Sequence, residues 1–219
     1  MFLDGPVEVG LSNSGRYLLE LNPAPIDTAS LPKNQPISKG DVVVITGGAR
    51  GITAEVAATF SSAFKPTLVL LGRSAEPGPE PDWLTSLTDE SDIKKQLLDR
   101  ANGNLLPKEI QDQYREVIVN RELLRNIKRI ETSGARVIYC SVDVRDNEKV
   151  KSVLDDIRRH VGPIKGLIHG AGVIADRLIE DKSEEQFDLV YSTKVAGLRA
   201  LLGACLLYTS DAADDASSV

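Results

Sequence analysis

Hydrophobic and polar positions follow three successive patterns along the chain. In the first, "VEVGLSNSGRYLLEL" (Val7 to Leu21) predicts two short strands around an Asn-Ser-Gly turn. The polar, proline-rich "NPAPIDTASLPKNQPISKG" that follows has the composition of a linker, and a boundary is expected near Lys39. From Asp41 the pattern changes. Asp41 to Thr46 is an uninterrupted β-branched run, as in a strand buried on both faces of a parallel sheet. A helix should start near Gly51, with Ile52, Val56, Phe60 and Phe64 as its buried stripe. "PTLVLLGR" and "ARVIYCSVD" (Ala135 to Asp143) predict the next strands. Asp146 can cap a helix with apolar positions Val150, Val153, Leu154, Ile157 and Val161, ended by Gly162 and Pro163. "KGLIHGAG" is a further strand and turn, and Ser183 should cap a helix from Glu184 to about Ala204. Strands alternating with helices imply an α/β fold: a Rossmann-like, doubly wound parallel sheet.

Two stretches depart from the alternation. Arg73 to Arg136 is longer than one crossover helix needs. It holds "AEPGPEPDW" and two helical segments, the second opening on Pro107 and stopping at Gly134, with Ile110, Tyr114, Val117, Leu124 and Ile127 as its stripe. The favoured reading is a lengthened crossover helix plus a surface insertion; a docking surface for a neighbouring domain or subunit is the sharper alternative. The third pattern, "CLLYTSDAADDASSV" (205–219), decays into small and acidic residues with no new strand. "CLLYTSDAAD" resembles the translation of a transposon-end adapter used in preparing sequencing libraries. That resemblance implies native sequence to about Ala204 and read-through beyond it. The expected division is therefore a first segment and linker over 1–38, an α/β domain over 39–204, and a non-native tail over 205–219.

Composition narrows the chemistry. A net charge of −6 with no basic block argues against a nucleic-acid binder. Two cysteines, Cys140 and Cys205, cannot make a disulfide framework or zinc cluster, and two histidines cannot make a metal centre by themselves. A reducing, cytoplasmic setting fits. No apolar run is long enough for a transmembrane helix.

The informative chemistry lies in "TGGARGIT". Thr46, Gly47, Gly48, Ala49, Arg50, Gly51 and Ile52 give T-G-x-x-x-G-I where a strand meets a helix. Glycine there lets the chain turn sharply and its backbone approach a pyrophosphate, with the helix's free amides and the positive end of its dipole facing the anion. No Lys-Ser/Thr follows Gly51, so this is no Walker-type loop, and the spacing is not G-x-G-x-x-G. The pattern resembles the fingerprint of short-chain dehydrogenases/reductases, and the resemblance implies the roles that follow. Arg73 and Ser74 of "LGRS" meet the adenosine ribose, and an arginine rather than a carboxylate there implies NADP. Arg50 could add a second positive charge. Asp143 accepts from the adenine amino group while Val144 packs on the base. His169, Gly170, Ala171 and Gly172 of "IHGAG" correspond to the family's N-A-G segment and pass under the ribose and nicotinamide. His169 is read as a packing and hydrogen-bonding residue rather than a general base.

"TKVAG" resembles the K-V-x-G segment of ketoreductase domains in modular polyketide and fatty-acid synthases, which makes Lys194 the catalytic lysine. Its ammonium would hold the nicotinamide ribose and lower the pKa of the catalytic tyrosine. Tyr191 precedes Lys194 by three residues, not the family's four, and is read as a partly buried packing tyrosine. "GVIADRLIEDKSEEQFDLVYSTKVAGLRALL" and the helical insert after "GRS" look most like the ketoreductases of polyunsaturated-fatty-acid synthases and related polyketide synthases. This resemblance implies that 1–38 holds the end of a structural subdomain and a linker, and that 39–204 is a truncated NADP-binding ketoreductase domain. Of the L-D-D mark of one hydroxyl configuration only Asp176 matches. The implied reaction is NADPH-dependent reduction of a 3-oxoacyl thioester, presented by an acyl carrier protein among neighbouring synthase domains, to the 3-hydroxyacyl chain. The alternatives are a free-standing reductase of a small carbonyl compound and a non-catalytic nucleotide-binding scaffold. The family's serine and tyrosine are absent, so the chain alone is expected not to catalyse the step.

Overall fold

The computed structural model describes residues 9–18 and 37–214. The chain divides into two compact units, 1–35 and 36–219. The first contains a hairpin of β1 (Val9–Ser12) and β2 (Gly15–Leu18), paired antiparallel from Val9↔Leu18 to Ser12↔Gly15. Val7, Glu8 and Leu19 to Leu21 of the expected strands, and most of the expected linker, lie outside the described residues.

The second unit has a four-stranded sheet of β3 (Val42–Thr46), β4 (Thr67–Gly72), β5 (Arg136–Ser141) and β6 (Ile164–His169) in the order β5-β4-β3-β6, every pair parallel. All five β3 residues are buried, because helices cover both faces of this central strand. Alternation divides its side chains. Val43 and Ile45 join Leu68, Leu70, Leu123 and Ile130 on one face, under α1 (Gly51–Phe64) and α4 (Pro107–Thr132). Val42 and Val44 join Val69, Leu71, Leu154 and Leu201 on the other, under α5 (Asn147–His160) and α7 (Gly197–Asp214). The doubly wound architecture is as expected. The strand order reverses between β3 and β6, and that is where such sheets open a crevice at their carboxyl ends.

The cap of α5 also matches: Asp146 accepts from the Lys149 amide, and Val150, Leu154 and Ile157 are buried. The α1 stripe matches only in its second half: Phe60 and Phe64 pack half-buried against the core, whereas Ile52 is 85% exposed, Val56 is also exposed, and the fully buried residues are Ala54, Ala57 and Ser61. Each four-residue step turns about 400°, so a strict i+4 series drifts some 120° over three steps, and only one end of it can face the sheet. Small residues at 54, 57 and 61 stay on one face and bring the helix close.

Between β4 and β5 there are three helices, not two: α2 (Asp82–Thr85), α3 (Glu90–Arg100) and α4. α4 is the crossover helix, and its buried residues are Leu123, Asn126 and Ile130; Leu124, expected inside, is exposed. The expected stripe serves the N-terminal half of α4, where Tyr114 lies under Lys94 of α3. The sheet contact is rotated by about one residue from it. α2 and α3 complete the insertion. Arg121 of α4 pairs with Glu80 and donates to the carbonyls of Leu84 and Leu87, tying α2 down.

The last predicted helix is also interrupted. α6 (Glu184–Tyr191) begins with Ser183 accepting from the Gln186 amide, and a π turn over Ser192–Ala196 joins it to α7. The backbone helix continues to Asp214, past the expected end at Ala204.

Two neighbouring leucines test the position of α4. Leu123→Ala should cost about 2–5 kcal/mol and Leu124→Ala less than about 1 kcal/mol, measured by urea unfolding. Equal costs would contradict the observed rotation.

Candidate active-site cleft

A cleft of about 730 Å³ opens at the carboxyl ends of β3, β4 and β6. Its floor is set by how closely two turns meet. Gly47 has φ 71°, and a Cβ there would lie 3.1 Å from the Gly170 carbonyl oxygen, so a side chain would force the two turns apart. Gly170 donates to the Thr46 carbonyl (3.1 Å), and Gly47 to that of Leu71 (2.8 Å).

Behind this floor runs a chain of hydrogen bonds whose direction is fixed. The Lys194 carbonyl can only accept, so His169 Nε2 donates to it (3.1 Å). In the neutral ring Nδ1 is then an acceptor, and the Thr46 hydroxyl donates to it (2.8 Å) while accepting from the Ala171 amide (3.1 Å). His169 thus joins the end of β3 to the π turn that carries Lys194.

Of the residues singled out from the sequence, Gly47, Ala49, Arg50, Gly51, Arg73, Ser74, Val144, Gly170, Ala171 and Gly172 line the cleft. The glycine turn and Arg73 therefore share one cleft. Thr46 and His169 stand behind it, and Gly48 is turned into the core against Ile45 and Leu70. Ile52 is neither buried nor part of the wall. Lys194 is not a wall residue either, but its ammonium flanks the "GAG" turn: a Cβ on Gly172 would lie 2.9 Å from Nζ. Tyr191 stacks on Phe187, centroids 5.9 Å apart, and is 43% exposed, more open than the partly buried place expected. The π turn explains why α-helical spacing was a poor guide here.

Asp143 sits beside the wall with both oxygens held by Arg145, Nη2 to Oδ2 at 2.7 Å and Nε to Oδ1 at 3.0 Å. The Arg145 hydrogen bond holds its carboxyl below the ordinary range; burial opposes this, and the Arg145 amide and the charges of Arg145 and Arg73 add to it.

Four residues escaped the sequence reading. The Tyr139 hydroxyl donates to the Ser74 carbonyl (3.0 Å) and so fixes the Arg73–Ser74 turn. Its signal was a tyrosine in a predicted sheet strand, whose half-buried hydroxyl needs a partner. Thr193 is buried in the cleft wall. Asn126 donates to the Ala49 carbonyl (2.9 Å), a polar residue at core spacing on α4. Glu122, one turn earlier, accepts from Arg50 Nε (2.8 Å) and the Gly51 amide (3.3 Å), and nothing in the local sequence marks it. Burial alone would raise the Glu122 carboxyl, but Arg50, the Gly51 amide and Arg125 together hold it below its ordinary value.

Comparison with known proteins agrees with this geometry. The KR domain family model matches residues 41–219. A polyunsaturated fatty acid synthase polypeptide of Thraustochytrium is 37% identical over 184 residues, 78% of this chain and 6% of that protein. Polyketide synthase PksL of Bacillus subtilis is 28% identical over 197 residues, 89% of this chain and 4% of that protein. The chain thus spans about one-twentieth of the length of these relatives. Among solved structures, a ketoreductase domain from the bacillaene assembly line has TM-score 0.55 at 23% identity, covering 90% of this chain and 36% of that one. A short-chain dehydrogenase from Mycobacterium paratuberculosis, bound to NAD, has TM-score 0.51 at 20% identity, covering 76% and 49%. The fold is that of the short-chain dehydrogenases/reductases. The chain belongs to the KR family, the ketoreductase domains of polyketide and polyunsaturated-fatty-acid synthases.

The Asp143–Arg145 pair has a pH signature. A carboxyl depressed on folding stabilises fully above its unfolded value, near 4, and loses that contribution as pH falls through its lower folded value. Asp143→Asn should cost about 0.2–1 kcal/mol at pH 7, and the gap to the parent in urea unfolding should narrow below about pH 4. A gap as wide at pH 3 would contradict this.

Proposed function

We propose that this chain forms the NADPH-binding part of a ketoreductase that reduces a carrier-bound 3-oxoacyl thioester to its 3-hydroxyacyl product in polyketide or fatty-acid synthesis. The observation that carries the reading is the shared cleft: the Gly47–Gly51 turn and Arg73 line it, and the Lys194 ammonium flanks Gly172 of the facing turn. A backbone anion cradle, a guanidinium one strand away and an ammonium beside the second turn fit a phosphorylated dinucleotide in type and order.

In this reading the amides at the start of α1 hold the pyrophosphate. Arg73, with Ser74, takes the adenosine 2′-phosphate by charge-assisted hydrogen bonds. Val142 and Val144 give the adenine an apolar wall, with Asp143, shared with Arg145, at its edge. Gly170 to Gly172 let the backbone run close beneath the ribose and nicotinamide. When bound, the dihydronicotinamide supplies the hydride. Lys194 would hold the ribose hydroxyls and, by its charge, lower the pKa of the family's tyrosine, which protonates the carbonyl oxygen. His169 holds the carbonyl of Lys194, and so helps to set where that lysine begins.

The thioester would be offered by an acyl carrier protein, and the relatives' multidomain synthases supply the setting for neighbouring domains. With Cys140 a free thiol, a reducing, cytoplasmic compartment is part of the proposal.

Titration of the chain with NADPH and NADH, followed by nicotinamide fluorescence, tests the assignment. NADPH should bind more tightly, and Arg73→Ala should weaken it roughly 10–100-fold with little effect on NADH. Equal affinities for the two would contradict the 2′-phosphate role.

A further inference from the structure

The start of α1 offers the Arg50 side chain and the Gly51 amide, with no side-chain acceptor of its own to cap them. Arg50 stands at the N-cap with extended backbone and no capping side chain, and the first turn contains no acidic residue. The missing anion comes from 71 residues away. Glu122, on the crossover helix, places one carboxylate oxygen 2.8 Å from Arg50 Nε and the other 3.3 Å from the Gly51 amide, and its side chain is part of the cleft wall. A carboxylate therefore stands where the glycine turn offers its amide and its cation to a phosphate.

We infer that Glu122 is a built-in competitor for the phosphate cradle: it latches the insert helix to the glycine turn, yields when a dinucleotide binds, and thereby sets the affinity of the site. The inference rests on the nucleotide reading above. One amide hydrogen cannot serve a carboxylate and a phosphate together, and the Glu122 carboxylate would stand as a like charge beside the incoming phosphate. The Glu122 side chain is 23% exposed and Arg50 48% exposed, so the carboxylate has room to swing outward. Asn126, one turn further along α4, continues to hold the Ala49 carbonyl, so the turn keeps its shape when the latch opens. While the latch is closed the site is incompetent, and apparent affinity falls by the fraction of molecules held shut. The pyrophosphate is common to NADH and NADPH, so both are affected.

The test is binding of NADPH and of NADH to the unliganded chain and to Glu122→Gln and Glu122→Asp, by nicotinamide fluorescence, with thermal melting of each variant. Removing the charge, or shortening its reach by a methylene, should tighten both cofactors about five- to tenfold. The melting temperature of the free protein should fall at the same time, because α1 loses its anion. A residue serving only as a brace would lower both stability and affinity. Unchanged or weaker binding in folded variants overturns the inference, as does failure of both variants to fold, which would make Glu122 a structural cap. Failure of the parent and both variants to bind either cofactor would refute the nucleotide reading itself; binding by the parent at an affinity the variants leave unaltered refutes only the latch.

Discussion

The cleft depends on a close approach between two backbones. β3 and β6 are neighbours only because the chain, after building outward through β4 and β5, returns to the other edge of β3. Their following turns then lie side by side, Gly47 against Gly170, with the Thr46 carbonyl accepting from Gly170. A side chain at position 47 would push these turns a few tenths of an ångström apart and strain a backbone held at φ 71°. Thr46 and His169 extend the junction to the Lys194 carbonyl through hydrogen bonds with one consistent direction. The ends of two strands and the π turn therefore act as one assembly, with Lys194 held from behind rather than from within the cleft.

A second constraint comes from the insert. In a minimal doubly wound unit the first helix after the glycine turn packs only on the sheet and its neighbours. Here α4 also touches the turn itself, through Asn126 on the Ala49 carbonyl and Glu122 on Arg50 and the Gly51 amide. The same helix carries Arg121, which ties down Glu80 and the carbonyls of Leu84 and Leu87. Segments that look like surface decoration in the sequence are mechanically continuous with the glycine turn. This continuity couples the insert to the wall of the cleft.

Much of this was legible in the sequence, for physical reasons. The four sheet strands announce themselves as β-branched or aliphatic runs bounded by turns, and the cap at Asp146 needs only a local hydrogen bond. The glycine turn and Arg73 are local patterns too, and the fold brings them to one cleft. What was not legible depends on distance or on phase. The stripe Ile52-Val56-Phe60-Phe64 held only at Phe60 and Phe64, because fixed i+4 spacing drifts around a helix, and the fully buried contact runs through Ala54, Ala57 and Ser61. Leu124 failed because α4 changes partner along its length. Glu122 meets Arg50 across 72 residues, and no window of sequence contains both. The π turn at Ser192–Ala196 is invisible to periodicity, since it is a break in period.

The central claim is that the turns after β3 and β6 together receive the dinucleotide. Amide hydrogen exchange of the chain with and without NADPH measures this directly. Protection should appear together in Gly47–Thr53, Arg73–Ser74 and Gly170–Gly172. Protection confined elsewhere, such as the groove between α5 and α7 around Lys151 and Arg199, or found in only one of the two glycine turns, would contradict the account.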